Sequence, residues 1–191
     1  MNKSKNIIPI YKEPLRTIPH NVFRDNNPDY DELERRPRMP VVALFDNIRS
    51  MFNVGSMFRT ADAAWLEEII ISGYTATPPR KEIAKTALGA EYSVPWRNIP
   101  DAVSVLRALK QRGYTAVALE HTTQSRSFTQ IQYEFPLVFV VGNEGVGVQD
   151  GIVRECDFAV ELPQNGMKSS MNVAVAFGIM LYELRRQWDI K

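Results

Sequence analysis

Cysteine, histidine and long hydrophobic runs are all scarce in this chain of 191 residues, and each scarcity excludes a class of protein. The one cysteine, Cys156, excludes an internal disulfide, and two histidines are too few for a metal site built from histidine. No apolar run approaches the roughly 18 residues that a membrane-spanning helix needs. Charge and proline near the first residue exclude the apolar core of a signal peptide. We therefore expect a soluble, cytoplasmic protein with no membrane partner and no metal.

Excess charge is lacking too, since 23 basic and 22 acidic residues leave a formal net charge of +1. A charge this small does not exclude nucleic-acid binding, but such binding would need a local basic surface. The fractions of apolar residues (45%) and charged residues (24%) are typical of a folded protein, and the length suits one domain.

Residues 1–40 differ from the rest of the chain in charge and in proline content. They carry 8 Lys/Arg and 6 Asp/Glu, and their prolines recur as far as Pro40. Each proline removes a backbone donor and restricts the residue before it. We predict an irregular, mildly basic arm over 1–40 and one globular domain over 41–191. A solvated, disordered tail is the alternative for the arm.

Beyond residue 40, short apolar runs alternate with helical stretches. Such alternation predicts an α/β fold, in which a parallel sheet has helices on both faces. The predicted strands are 41–45, 68–72, 92–96, 115–119, 137–141 and 158–161. The predicted helices are 53–65, 100–112, 148–156 and 170–187, with a weaker candidate at 80–87.

Two of these helices lack the charged face that a solvent-exposed helix needs. On the 53–65 helix, small residues lie opposite the apolar stripe, and Arg59 is the only long charged side chain among them. The last helix is apolar on all sides from Val173 to Leu184, interrupted only by Glu183. A helix that is apolar all round must be covered all round, so we predict a homodimer. Enclosure of the last helix by its own domain is the alternative. The apolar stripe of the 53–65 helix consists of Val54, Met57, Phe58, Ala61 and Trp65.

A glycine-rich turn, GNEGVG, follows the strand at 137–141 and spans Gly142–Gly147. Glycines at the carboxyl end of a parallel strand let a ligand approach the backbone. The order of the glycines does not fit a dinucleotide fingerprint, which disfavours a nucleotide-dependent oxidoreductase. The chain also lacks the G-x-x-x-x-G-K-S/T sequence of a phosphate-binding P-loop. Glu144 within the turn is placed to lie against a bound cation. The alternatives are a simple turn and a surface carboxylate that caps the next helix.

A polar segment, LPQNGMKSSMN, joins the last strand to the last helix over residues 162–172. Its Ser169, Ser170 and Asn172 either order this loop or cap the helix that follows. Arg59 likewise has two interpretations, a functional cation on a face of small residues or an ordinary solvated charge.

Taken together, these segments resemble a known family. In order and spacing, NVGSMFRTADAA, LVFVVGNEGVGV and LPQNGMKSSMNVAVAFG resemble the three motifs of the SpoU/TrmH branch of the SPOUT RNA methyltransferases, and KTALGAEYSVPW resembles that family's intervening segment. The resemblance covers residues 41 to about 187. It implies a parallel sheet with a carboxyl-terminal deep trefoil (α/β) knot, S-adenosylmethionine as cofactor, an RNA substrate and a homodimer.

The resemblance also implies which residues form the site. Two positions depart from the family pattern, since Gln164 stands where the family usually has Met and Met171 stands where it usually has Leu. Glu120–His121 is also an unusual ending for its strand. The implied catalytic residues are Asn53, Arg59, Glu144, Ser170 and Asn172. The implied cofactor-binding residues are Glu120, His121, Gly142, Asn143, Gly147, Leu162 and Met171, and no metal ligand is implied.

The implied reaction transfers a methyl group to a ribose 2′-hydroxyl, which is a poor nucleophile at neutral pH. A guanidinium with a pKa above about 12 is a poor base, so we expect Arg59 to hold a phosphate and stabilise the developing oxyanion. Proton abstraction by Arg59 is the alternative. Asn53 would orient Arg59 or the ribose, and Glu144 would order the catalytic loop and favour a cationic cofactor. Ser170 and Asn172 would brace the knot loop.

The RNA is the least determined part of this prediction. The 40-residue arm is too short for a separate RNA-binding domain, which favours transfer RNA over ribosomal RNA. A non-catalytic RNA-binding or assembly module that keeps the knot is the alternative function. We expect the arm to contact RNA phosphates through its arginines, which are Arg16, Arg24, Arg35, Arg36 and Arg38.

Overall fold

The computed structural model of the chain describes Thr17 and residues 30–190. The chain divides between Pro37 and Arg38 into two units. Most of the predicted arm therefore lies outside the described residues.

The described part of the first unit contains a short helix, α1, over Tyr30–Arg35. No proline interrupts residues 29–36, which permits a helix there. Arg36 forms an ion pair with Glu32, one helical turn away. The prediction of an irregular arm is therefore wrong over this segment.

The second unit is built on a parallel sheet, as the sequence predicts, with seven strands in the order β3-β2-β1-β6-β4-β7-β5. The edge strand β5 is not among the six strands that the sequence predicts. The central strands β1 and β6 are buried on both faces, which explains their continuous apolar sequences. The strands are β1 Met39–Asp46, β2 Leu66–Ser72, β3 Trp96–Asn98, β4 Thr115–Leu119, β5 Arg126–Ser127, β6 Leu137–Val141 and β7 Phe158–Glu161.

Helices cover both faces of this sheet, which confirms the predicted α/β class. One apolar core joins the sheet to α2, α3, α4 and α7, and a second core joins its other face to α5 and α6. A single 3₁₀ turn, Phe128–Gln130, lies between β5 and β6. The helices are α2 Met51–Ala64, α3 Lys81–Ala87, α4 Ala90–Ser93, α5 Ala102–Gln111, α6 Asp150–Glu155 and α7 Val173–Asp189.

The junction between arm and domain lies earlier than predicted. Strand β1 begins at Met39 and includes Pro40, at a position in the strand where a missing donor is tolerated. The Arg38 guanidinium donates hydrogen bonds to the carbonyl oxygens of Leu66 (3.2 Å) and Ser93 (2.9 Å) and lies 3.7 Å from the centre of the Trp65 ring. Arg38 is thus part of the domain and not an arginine of the arm.

Side-chain caps set the beginnings of the main helices. The Ser50 hydroxyl caps α2 by accepting a hydrogen bond from the Asn53 N–H (3.3 Å). The helix therefore begins at Met51, two residues before the predicted start. Asn172 Oδ1 accepts from the N–H groups of Ala174 (2.9 Å) and Val175 (3.3 Å), so α7 begins at Val173 and the predicted start at 170 is wrong.

The predicted strand at 92–96 is also wrong. Residues Ala90–Ser93 form the short helix α4, and β3 begins only at Trp96. The helix follows Gly89, which adopts a left-handed φ of 96°, and its first turn is fixed by the Glu91 carboxylate, which accepts the Gly89 N–H (3.1 Å). Pro95 then separates the helix from the strand.

Helix α7 is covered on one side by its own chain and exposed on another. Phe177 packs against Phe45 and Phe139, with ring centres 5.5 and 5.3 Å apart. Gly178 lies against the small-residue side of α2, where an added Cβ would be 3.6 Å from Thr60 Cγ2. Enclosure by the chain itself, the alternative to a dimer, therefore accounts for part of the apolar surface of α7. A second stripe remains exposed and consists of Val175 (53%), Ile179 (36%) and Tyr182 (52%).

Within the described residues, no helix is both long and apolar enough to cross a membrane.

Candidate functional site

The carboxyl ends of β4, β6 and β7 surround a cavity of about 690 Å³. Open α/β sheets bind their ligands at this edge, and the volume lies within the roughly 300–1,000 Å³ of small-molecule sites. The cavity is lined by every residue that the sequence analysis assigned to the cofactor, namely Glu120, His121, Gly142, Asn143, Gly147, Leu162 and Met171.

Asn143 orders the glycine turn beside this cavity. Its backbone exchanges two hydrogen bonds with Gly147, of 3.0 and 2.9 Å. Its Oδ1 accepts from the N–H groups of Gly145 (2.8 Å) and Val146 (3.0 Å). The turn is therefore closed by hydrogen bonds within the chain.

The glycines at the two ends of the turn are required by the packing of the loop itself. A Cβ on Gly142 would lie 2.3 Å from the carbonyl carbon of Gly147 and from the nitrogen of Val148. Gly147 has a left-handed φ of 75°, and its Cβ would lie 2.2 Å from Glu120 Oε2. The sequence analysis gave these glycines to the approach of a ligand, whereas the structure shows close contact between parts of the chain.

Glu120 connects the end of β4 to this turn. Its Oε2 accepts a hydrogen bond from the Val148 N–H (2.8 Å), and its Oε1 accepts from the His121 N–H (2.9 Å). The Glu120 of this unusual Glu–His ending thus has a structural role, because its carboxylate satisfies backbone donors both at the end of β4 and just after the glycine turn.

Glu144 accepts hydrogen bonds from the loop that begins α2. Its Oε2 accepts the Arg49 N–H (2.8 Å), and its Oε1 accepts the Ser50 N–H (2.9 Å) and Asn53 Nδ2 (2.9 Å). Partial burial raises the pKa of Glu144, but these donors together outweigh burial and hold the pKa below its ordinary value. Glu144 is therefore a carboxylate at neutral pH.

Asn53 and Asn172 join the three sequence motifs through their side chains. Asn53 Oδ1 accepts from Asn172 Nδ2 (3.1 Å), while Asn53 Nδ2 donates to Glu144. Asn172 also caps α7, so both interpretations of this residue are correct. Three of the five predicted catalytic residues thus form one hydrogen-bonded chain, and Asn53 is engaged with Glu144 and Asn172 and not with Arg59.

Ser170 and Arg59 are placed differently. Ser170 lines the cavity but forms no hydrogen bond within the part of the chain that the structure describes, so Asn172 is the residue that braces this loop. Arg59 is an exposed residue on α2 that does not line the cavity, and its side chain has no hydrogen-bond or ion-pair partner among Thr17 and residues 30–190.

Sequence reasoning missed a polar cluster on the cavity wall. Glu161, at the end of β7, accepts a hydrogen bond from Ser125 Oγ (2.5 Å) at the same oxygen that lies 3.1 Å from His121 Nδ1. The hydrogen bond from Ser125, and then the contact with His121, hold the pKa of Glu161 below its ordinary value. The sequence did contain a signal for this cluster, because Glu161 is a charged residue at the end of the predicted strand 158–161. Within the described residues, no group of His, Cys, Asp and Glu side chains could hold a metal ion.

A cavity of this size, at the carboxyl edge of a parallel sheet and beside an ionised carboxylate, is typical of small-ligand-binding α/β proteins. The model of the SpoU rRNA Methylase family matches residues 40–182. The chain therefore belongs to the SpoU rRNA Methylase family, which confirms the resemblance seen in the sequence.

Two curated relatives show how far the similarity extends. The chain is 33% identical over 159 residues to the 23S rRNA (guanosine-2′-O-)-methyltransferase RlmB of Pseudomonas putida, covering 83% of this chain and 64% of that protein. It is 30% identical over 158 residues to the putative TrmH family tRNA/rRNA methyltransferase YacO of Bacillus subtilis, covering 83% and 63%. The chain thus spans somewhat less than two thirds of these relatives.

Solved structures show the same fold. The A. aeolicus TrmH/SpoU tRNA modifying enzyme superimposes with a TM-score of 0.75 at 30% identity, covering 84% of each chain. The SpoU methyltransferase AviRb from Streptomyces viridochromogenes, in complex with the cofactor AdoMet, superimposes with a TM-score of 0.74 at 26% identity, covering 85% of this chain and 66% of that one.

Proposed function

We propose that this chain transfers a methyl group from S-adenosylmethionine to a ribose 2′-hydroxyl of RNA. The observation that carries the proposal is the cavity at the ends of β4, β6 and β7. All of the predicted cofactor residues line it, together with Glu144 and Ser170. Membership of the SpoU rRNA Methylase family supports the assignment.

The chemistry of the cavity wall suits a cationic ligand. Glu120, Glu144 and Glu161 line the cavity, whereas no Lys or Arg among the described residues does so. Apolar side chains, among them Leu119 and Leu162, complete the wall. S-adenosylmethionine would supply an electrophilic methyl group on a positively charged sulfonium, and the carboxylates favour that charge.

The residues of the chain hold the site and its charge. Glu144, Asn53 and Asn172 fix the turn after β6 and the loop before α7 relative to α2. In the reaction, the oxygen–methyl bond forms as the sulfur–methyl bond breaks, and the 2′-hydroxyl loses its proton to solvent or to a base. We assign to Arg59 the stabilisation of the negative charge that develops on the ribose oxygen.

Two measurements test this function together. Titration calorimetry with S-adenosylmethionine should show binding, and transfer of its labelled methyl to unmodified RNA should yield ribose methylation that mass spectrometry maps. Binding without transfer to either transfer RNA or 23S rRNA transcripts would favour a non-catalytic RNA-binding module. Absence of cofactor binding would contradict the proposal.

For the substrate, we propose transfer RNA. The A. aeolicus tRNA modifying enzyme matches this chain over 84% of its length, although the RlmB relative is named for 23S rRNA. Mapping ribose methylation in total RNA from a deletion strain separates the two. We also propose, as the sequence predicted, that the protein acts in the cytoplasm.

We further propose that the carboxyl-terminal segment forms the α/β knot. The loop from β7 to α7 contributes Ser169, Ser170 and Met171 to the same cavity as the turn after β6. The bond from Asn172 to Asn53 then joins this segment to α2. These contacts, and the similarity to TrmH/SpoU structures, support a chain end that is threaded through its neighbouring loops.

We propose that the chain forms a homodimer, in which a second copy covers the exposed stripe of α7 and completes the site at Arg59.

Replacing Ile179 with Glu should reduce the mass in light scattering from twice 21.8 kDa to 21.8 kDa. The reason is that dimer formation would bury the introduced carboxylate without an opposite charge. The same change at Leu88, which directly follows α3 and is 66% exposed, is the control and should leave a dimer. A wild-type mass of 21.8 kDa would contradict the dimer.

The arm should contribute to RNA affinity and not to cofactor affinity. Because Arg38 is anchored in the domain, the deletion that tests this is residues 1–37. Loss of two or three phosphate contacts should flatten the dependence of log Kd on log salt by roughly two units. Filter binding across a salt series measures the slope, and an unchanged slope would mean that the arm does not contact RNA.

A further inference from the structure

Tyr74, in the turn after β2, has an aromatic ring that is exposed and yet held at both ends. The residue is 63% exposed. Its backbone N–H donates to Asn47 Oδ1 (3.1 Å), and its Oη accepts a hydrogen bond from Asn143 Nδ2 (2.6 Å). Both the base and the tip of the side chain are therefore fixed, while the ring remains open to solvent.

The backbone beneath Tyr74 is equally constrained. Asn47 and Gly73, in the turns after the neighbouring strands β1 and β2, both adopt left-handed φ angles, of 55° and 61°. A Cβ on Gly73 would lie 2.1 Å from Asn47 Oδ1, so the two turns are in direct contact. Thr75 then anchors the chain, since its Oγ1 accepts the Ile48 N–H (2.8 Å).

The ring lies beside the glycine turn, because its hydroxyl accepts a hydrogen bond from Asn143. The Asn143 side chain that holds Tyr74 also orders the glycine turn, and the next residue is Glu144. Glu144 in turn accepts the backbone N–H of Arg49, whose own side chain is exposed. An exposed aromatic ring and an exposed cation therefore flank the same loop.

This pairing is the chemistry of single-stranded RNA recognition, in which bases stack on aromatic side chains and cations hold phosphates. The Tyr74 hydroxyl already accepts a hydrogen bond within the chain, so the faces of the ring are the part that is left for a ligand. Stacking uses those faces and needs no hydrogen bond from the ring.

We propose that Tyr74 stacks on a base of the RNA substrate next to the ribose that is methylated, with Arg49 contacting the adjoining phosphate. The inference rests on the proposed RNA methyltransferase function and assigns a substrate-positioning role that the three family motifs do not contain.

Two substitutions separate stacking from a structural role of the hydroxyl. Tyr74→Phe keeps the ring and removes the hydrogen bond that Asn143 donates to the hydroxyl, whereas Tyr74→Leu removes both the ring and the hydrogen bond. Using unmodified transfer RNA and 23S rRNA transcripts as probes, we expect Tyr74→Leu to weaken RNA binding and to raise the KM for RNA by about tenfold or more. Tyr74→Phe should remain within about twofold of wild type, and both should bind S-adenosylmethionine normally.

Several results would overturn the inference. Equal losses in Tyr74→Phe and Tyr74→Leu would show that the hydroxyl orders the loop, and unchanged RNA binding in Tyr74→Leu would show that no base stacks there. Tyr92, which is 81% exposed on α4, is the matched control, and a loss in Tyr92→Leu as large as in Tyr74→Leu would indicate nonspecific stacking. The binding assay needs no turnover, so failure of wild-type methyl transfer would contradict the proposed function and leave this test intact.

Discussion

Replacing Arg59 with alanine should lower the turnover of methyl transfer by about 10²-fold or more while leaving cofactor affinity and folding near normal. A loss of this size is typical when a group that stabilises charge in the transition state is removed. The structure makes the substitution clean, because the exposed Arg59 side chain makes no hydrogen bond or ion pair within the described residues. The substitution therefore removes no hydrogen bond or ion pair among the described residues.

The matched control for Arg59→Ala is Arg154→Ala. Arg154 is also an exposed helical arginine, on α6, whose side chain has no hydrogen-bond or ion-pair partner in the described part of the chain. Single-turnover rates with saturating cofactor, measured beside calorimetry with S-adenosylmethionine, separate chemistry from binding. If Arg59→Ala turned over normally, or no more slowly than Arg154→Ala, the proposed role of Arg59 would be wrong. Arg59→Lys would retain the charge but not the planar fork of donors, and should recover only part of the rate.

The central part of the fold is readable from the sequence because each central strand is a continuous apolar run. Strands β1 and β6 lie within the sheet with both faces covered, so burial determines nearly every residue in them. The segment at 90–98 is different. It lies at the edge of the sheet, where a glycine with positive φ, a carboxylate cap and a proline set the structure locally, and its apolar residues alone cannot distinguish a four-residue helix from a strand.

All of the predicted cofactor residues line the cavity, but the individual contacts of the site could not be predicted from the sequence. The motifs place Asn53, Glu144 and Asn172 at the ends of elements that a parallel sheet brings together. That Asn53 binds Glu144 and Asn172 depends on the positions of segments 91 and 119 residues apart in sequence. Tyr74 lies outside the sequence motifs. The role that we propose for it depends on two turns that meet only in the folded chain.

Gly142 is a second residue whose contacts could not be predicted from the sequence. Its position after a strand indicates a bound ligand, whereas in the structure it packs against backbone atoms of Gly147 and Val148. Three alanine substitutions along this stretch test the difference. Gly145 lies in the same turn, but its added Cβ would be 3.4 Å from Asn143 Oδ1, which is ordinary contact. Gly151 lies on α6 and its added Cβ would have nothing within 4 Å.

Gly142→Ala should reduce the affinity for S-adenosylmethionine by roughly 10²-fold, equivalent to about 3 kcal/mol, the upper end of overpacking costs. The added methyl would lie 2.3 Å from the backbone of Gly147 and Val148, which cannot rotate away as a side chain can. The turn must therefore move, and with it the hydrogen bond from Val148 to Glu120. Calorimetry gives the affinity, and thermal unfolding shows whether the loss is local or global. Gly145→Ala and Gly151→Ala should bind normally; if Gly142→Ala did so too, the tight packing of this turn would not be what shapes the cofactor site.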